Sequence, residues 1–206
     1  MSIERVGVVG AGQMGGGIAE VCAKAGAQAL VYEPTEELVE AGRTRITASL
    51  ERAKAKGKLA ADDFEVAMAR LSYTTELADM ADRQLVIEAI VENEAVKAKV
   101  FADLDSVVTD PDAVLASNTS SIPIMKIAAA TTNPSRVLGL HFFNPVPVLP
   151  LVEVIDTLVT SPEAVAKVEK FAGEALGKKV VRCGDRSGFI VNALLVPYLL
   201  SAIRMA

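Results

Sequence analysis

His141 is the only histidine in the 206-residue chain. It opens HFFNPVPVLPLVEVI, a stretch broken by Pro145, Pro147 and Pro150 whose one acid is Glu153. Imidazole titrates near neutral pH and can take the hydroxyl proton of an alcohol while hydride leaves the carbon. A carboxylate on the other ring nitrogen would fix the tautomer and stabilise the protonated ring. Glu153 has apolar neighbours on both sides in LVEVI, a setting that a carboxylate tolerates only with a partner. The two residues are therefore expected to pair. The alternative is a histidine satisfied structurally, the commoner role of a lone one.

A second constellation lies near the N-terminus. Gly10-Ala11-Gly12-Gln13-Met14-Gly15 is GxGxxG; it follows VGVV directly and opens a helical pattern, with Glu33 at the end of the next strand pattern. In that setting Gly10 permits a tight turn, Gly12 lets backbone approach a pyrophosphate, and Gly15 allows helix to pack on strand. The helix start supplies free N–H groups and the positive end of a dipole. Glu33 would accept hydrogen bonds from ribose hydroxyls and repel a 2′-phosphate, so NAD is expected rather than NADP. A glycine turn without ligand and an acid solvated at a strand end are the plainer readings.

The elements that must carry these groups alternate. Strand patterns over 3–9 and 27–33 flank a helix over 14–25, and a long charged helix begins at Pro34 or Thr35 and ends near Gly57. Helix 60–70, strands near 71–75 and 84–89, helix 93–107, strand 113–117, helix 122–130 and strand 136–141 continue the rhythm. That βαβ order predicts a doubly wound, mostly parallel sheet of the Rossmann type. Ligands in such sheets lie beyond the carboxyl ends of the strands. His141 and the run Ser117-Asn118-Thr119-Ser120-Ser121 both stand at such ends. A strand over 151–155, a helix over 161–175 and the strand KKVVRC follow. Residues 185–188 read as a boundary, giving a nucleotide-binding domain over 1–186 and the first helix of a second, all-α domain over 187–206.

Composition bounds the function. Apolar residues make up 51% of the chain, charged residues 23%, and the formal charge is −5. This describes an aliphatic globular core and argues against a broad nucleic-acid face. The two cysteines, Cys22 and Cys183, form no CxxC or Cys/His cluster, so neither structural zinc nor a disulfide framework is expected. No stretch reads as a signal peptide or a membrane span, and cytoplasm is the default.

VIEAIVEN, SNTSS, HFFNPVPV, LVEVI and SGFIVNALLVPYLL resemble the L-3-hydroxyacyl-CoA dehydrogenases, especially the bacterial 3-hydroxybutyryl-CoA enzymes. The likeness covers the whole chain, and HFFNPVPV with LVEVI is more specific than the glycine loop. The resemblance implies that His141 is the base, Glu153 its partner and Ser120 the hydroxyl for the substrate 3-oxygen. It implies that Asn144 and Asn192 hold substrate and nicotinamide in register, and that Asn118, Glu92 and Lys97 line the cofactor side with Gln13 and Met14. Acyl-CoA contacts fall on Ser49 and Lys56. Arg52, Lys54, Lys56 and Lys58 concentrate positive charge there, which suits coenzyme A phosphates, although taken without the resemblance a solvated helix end is the preferred reading. Asn192 could instead be a buried amide bonded to backbone, and Ser120 the N-cap of helix 122–130.

The chain departs from the family wording at Pro150, where many members have lysine, and at Arg186-Ser187. Family members continue into a helical domain that closes the acyl-CoA cleft and forms a homodimer. The chain is therefore expected to be a truncated form that binds NAD and turns over weakly. Two other readings are a hydroxyacid dehydrogenase of the 6-phosphogluconate type, which uses a lysine base, and a non-catalytic NAD sensor or assembly module.

Overall fold

A computed structural model describes residues 2–205. The strands are β1 (Arg5–Val9), β2 (Gln28–Tyr32), β3 (Leu71–Thr74), β4 (Leu85–Glu88), β5 (Val114–Ser117), β6 (Val137–Phe142), β7 (Leu151–Asp156) and β8 (Lys179–Gly184). The helices are α1 (Gln13–Lys24), α2 (Glu36–Ala55), α3 (Ala61–Ala69), α4 (Glu94–Val107), α5 (Ile124–Ala128), α6 (Pro162–Lys170) and α7 (Val191–Met205).

The strands form one sheet in the order β3-β2-β1-β4-β5-β6-β7-β8. From β1 the chain steps outward to β2 and β3 and then crosses back to β4 on the other side of β1, so the strand order reverses beside β1, the place where such sheets open a crevice. Every pairing is parallel except β6 with β7. The link between those two strands is too short to hold a crossover helix, so β7 must return antiparallel.

Side-chain alternation along the strands builds two cores. Ile18, Ile46, Leu50 and Val165 of α1, α2 and α6 pack with Val6, Val8, Ile87, Leu140 and Val154 on one face. Phe101 and Leu104 of α4 and Ile124 and Ile127 of α5 pack with Val86, Leu115 and Ile155 on the other. The same alternation puts Glu88, Ser117, His141 and Glu153 on the α4/α5 face near one end of the sheet.

Local chemistry explains the element ends. Thr35, not Pro34, caps α2, its hydroxyl accepting from the Leu38 N–H at 3.3 Å, and Gly57 just beyond the helix has φ +65°. The predicted helix over 161–175 is α-helical only to Lys170 and continues as a wider π turn to Ala175. Helix α5 is shorter than the expected 122–130. Its N-cap is Pro123, and the Ile124 and Met125 N–H groups donate to the Asp185 carboxylate at 2.9 and 2.8 Å. Ser120 is thus not its cap; Thr119 Oγ1 accepts from Ser121 and Ile122 N–H instead.

Candidate active site

The glycine loop adopts the geometry that its spacing predicts. Gly10 has φ +98°, and a Cβ there would lie 2.8 Å from the Ala89 carbonyl oxygen. A Cβ at Gly15 would collide with the Gly10 carbonyl. At Gly12 nothing lies within 4 Å of the Cβ position, which leaves the loop open to a ligand on that side. Gly12 is the N-cap of α1 with no side-chain cap, and the first turn holds no acid. Those free N–H groups suit a pyrophosphate. Glu33 follows β2 and accepts the Ala11 N–H at 2.5 Å, while Arg45 of α2 donates to the Ala11 carbonyl at 2.6 Å. Arg45 had no sequence signal, because only the packing of α2 brings it to the loop.

His141 and Glu153 are directly opposite in the antiparallel β6/β7 register. Nδ1 of His141 lies 2.7 Å from Glu153 Oε2, and both residues are buried. A carboxylate only accepts, so Nδ1 is the donor and the neutral ring keeps Nε2 bare. The imidazole packs near Phe143 and Phe189, at centroid distances of 4.5 and 5.7 Å. Glu153 Oε1 accepts two backbone N–H groups, from Ile190 at 3.0 Å and Val191 at 2.9 Å.

Next to this pair lies a buried ionic network. Lys97 of α4 donates to Glu88 Oε1 at 2.5 Å and approaches Glu92 Oε2 at 3.3 Å. Ser117 donates to Glu88 Oε2 at 2.7 Å. Glu92 Oε1 accepts from the hydroxyls of Thr119 and Ser121 and from the Ser120 N–H. Partial burial alone would raise the Glu92 carboxyl, but the Thr119 bond, the Lys97 charge and the Ser120 and Ser121 bonds hold it below the usual range. Glu88 escaped the sequence reading. A carboxylate inside LVIEAIV is the same signal that exposed Glu153.

His141, Ser120, Asn118, Asn144, Asn192, Glu92, Lys97 and Met14 line one pocket of about 370 Å³. Asn118 Oδ1 accepts the Phe142 N–H at 2.8 Å, tying the end of β6 to the loop after β5. Asn192 donates to the Ser120 carbonyl at 3.3 Å, the backbone bond foreseen as its plainer role. Gln13 donates to Asn144 Oδ1 at 3.2 Å, joining the glycine loop to the proline segment.

Asn144 and Pro145 also border a smaller cleft that reaches Ser49 and Arg52. Beyond it a groove of about 350 Å³ is lined by Ser49, Arg52, Lys56 and Lys58 with Lys24. Lys54 is not part of this patch; its ammonium sits 4.6 Å over the Phe64 ring. Lys178 holds the groove's proline wall by donating to the Val146 and Leu149 carbonyls at 2.6 and 2.8 Å. Among the described residues, no three His, Cys, Asp or Glu side chains form a metal-binding group.

A doubly wound sheet with a glycine loop at its switch point and an imidazole–carboxylate pair beside it defines a dinucleotide-dependent dehydrogenase. Residues 5–186 match the family model described as 3-hydroxyacyl-CoA dehydrogenase, NAD binding domain, and the chain belongs to this family. It is 69% identical over 204 residues to a 3-hydroxybutyryl-CoA dehydrogenase of Mycobacterium tuberculosis, covering 99% of this chain and 71% of that one. The crystal structure of M. tuberculosis FadB2 superposes with a TM-score of 0.98 at 68% identity, over all of this chain and 72% of the other. The Escherichia coli 3-hydroxybutyryl-CoA dehydrogenase structure gives 0.95 at 43% identity, over 99% of this chain and 43% of that one.

Proposed function

We propose that this NAD-dependent oxidoreductase interconverts (S)-3-hydroxyacyl-CoA and 3-oxoacyl-CoA with a short acyl chain, His141 being the general base. The observation that carries the reading is the 2.7 Å contact between His141 Nδ1 and the buried Glu153 carboxylate in the pocket beside the glycine loop.

Nε2 of His141 is the free basic atom of the pair, placed to take the hydroxyl proton of the alcohol. The cation that forms is stabilised by Glu153, which already accepts from Nδ1. When bound, NAD supplies the hydride acceptor. Gly10, Gly12 and Gly15 with Gln13 and Met14 would hold its pyrophosphate side, and Glu33 its adenosine ribose. Glu92, Lys97, Asn118 and Asn144 would border the nicotinamide half, with Lys97 acting through its ion pair to Glu92. Ser120 would bind the substrate 3-oxygen, with Asn192 keeping the loop in register. Ser49 and Lys56, joined by Arg52, Lys58 and Lys24, would receive the phosphates of coenzyme A.

A lysine base of the 6-phosphogluconate type is disfavoured, because Lys97, the lysine of this pocket, is committed to Glu88. No helix of the described residues is long and apolar enough to cross a membrane. We place the protein in the cytoplasm, in keeping with its two free thiols. We also propose that 187–206 opens a second, helical domain through which a homodimer forms; the exposed Leu194, Tyr198 and Ile203 of α7 support this.

NADH absorbance separates the classes. Oxidation of NADH with acetoacetyl-CoA, and none with small oxo-acids, is expected. The reverse selectivity would overturn the substrate assignment, and no turnover with either would favour a sensor.

A further inference from the structure

We propose that the entry into α7 is a positioning element of the catalytic base: the backbone N–H groups of Ile190, just before the helix, and of Val191, its first residue, fix Glu153, and Glu153 in turn fixes His141. The inference rests on the dehydrogenase reading above.

Glu153 is wholly buried and both of its oxygens are occupied, Oε2 by the imidazole and Oε1 by the N–H groups of Ile190 and Val191. The terminal torsion of a glutamate is broad, so a single contact would leave the carboxylate plane free to turn. Three donors arriving from two directions define that plane, and with it the direction of the imidazole. Hydrogen bonds to an ionised acceptor are also the stronger kind.

The chain is shaped to deliver those two amides. Gly188 has φ +74° and Phe189 has φ +53°, the latter the only positive φ at a non-glycine among the described residues. Two successive left-handed residues turn the backbone so that the next two N–H groups meet Glu153. Phe189 is itself buried, with its ring against the imidazole. Asp185 ties the start of this segment to α5, and Asn192 ties its end to the Ser120 carbonyl. Beyond that anchored turn, α7 has no buried residue. A displacement of α7 would therefore be felt first at Glu153.

Val191 is the first residue of α7, where an N–H has no partner within the helix and proline is well tolerated. V191P removes one donor to Glu153 without breaking the helix; V191A keeps the donor and controls for the side chain. Because the chain has one histidine, 15N-histidine labelling yields a single imidazole signal set, whose ring-nitrogen shifts report the tautomer without turnover.

In the parent protein and V191A the Nδ1–H tautomer is expected. In V191P the ring nitrogens should move toward a tautomer mixture, with kcat down about tenfold, KM for acetoacetyl-CoA within about twofold and NADH affinity kept. A role confined to capping α7 predicts an unchanged imidazole and kcat in V191P, and that result would overturn the proposal. Should V191P fail to fold, E153Q decides: the backbone amide signals of Ile190 and Val191 should shift together with the imidazole, and amides left at their parental positions would refute the link. The imidazole signals are read in the resting protein, so absent acetoacetyl-CoA turnover in the parent would sink the dehydrogenase reading while leaving this contact to stand or fall separately.

Discussion

Replacing Lys97 by methionine keeps the length of an apolar stem and deletes one charge at the centre of the Glu88–Lys97–Glu92 network. The Lys97 side chain is 1% exposed and that of Glu88 0%, so bulk solvent does not reach Glu88 in place of the lost partner. Glu88 would keep only the Ile90 N–H and the Ser117 hydroxyl. Removing one member of a buried pair costs about 3–5 kcal/mol, because the other charge is left uncompensated. A domain of this size loses about 2–4 °C in Tm per kcal/mol, so K97M is expected to melt about 6–20 °C lower. Thermal unfolding followed by circular dichroism gives the number directly. The double variant K97M/E88Q removes both charges and should regain more than half of the loss. A K97M protein melting within about 2 °C of the parent, on the same scale, would refute the idea that this network is a structural requirement of the site.

Glu33→Ala should weaken NADH binding about tenfold or more in fluorescence titration, through loss of the proposed ribose contact; unchanged affinity would argue against its assignment. K56E and R52E should raise KM for acetoacetyl-CoA with little change in kcat, and the effect should shrink in high salt as screening grows. Asp105 gives a pH prediction. Burial alone would raise its carboxyl, but bonds from Thr132 and Arg136 and the Arg136 charge hold it below the usual range. A folded value below the unfolded one means stability that is present above about pH 4 and is lost as pH falls further. D105N should therefore flatten the acid limb of the stability curve, and an unaltered limb would contradict the linkage. A glycine loop that must admit a ligand at Gly12 predicts that G12V abolishes NADH binding while Tm changes little, since nothing in the fold occupies that space.

Much of the site is legible in the sequence because its signals are local. The glycine loop is contiguous, and Glu153 stands out as an acid in an apolar strand. His141 and Glu153 need only a short return connection to face each other in register. The alternation of strands and helices is equally local, and it carries the sheet.

What stays hidden depends on packing between distant segments. Arg45 reaches the loop from the middle of α2, and Lys24 joins the basic groove from α1. Asp185 caps a helix 60 residues earlier in the chain, and the amides of Ile190 and Val191 carry no side-chain signature at all. Lys54 shows the converse: its spacing placed it in the basic cluster, but the neighbouring α3 draws it onto Phe64.

The central claim is that His141 takes the alcohol proton. It is tested most directly by comparing H141A with the parent protein in NADH-linked reduction of acetoacetyl-CoA, with NADH binding measured in parallel. Loss of a general base predicts a fall in kcat of about 10²–10⁴-fold with NADH affinity retained. Turnover by H141A within a few-fold of the parent rate would contradict the assignment of the imidazole as base.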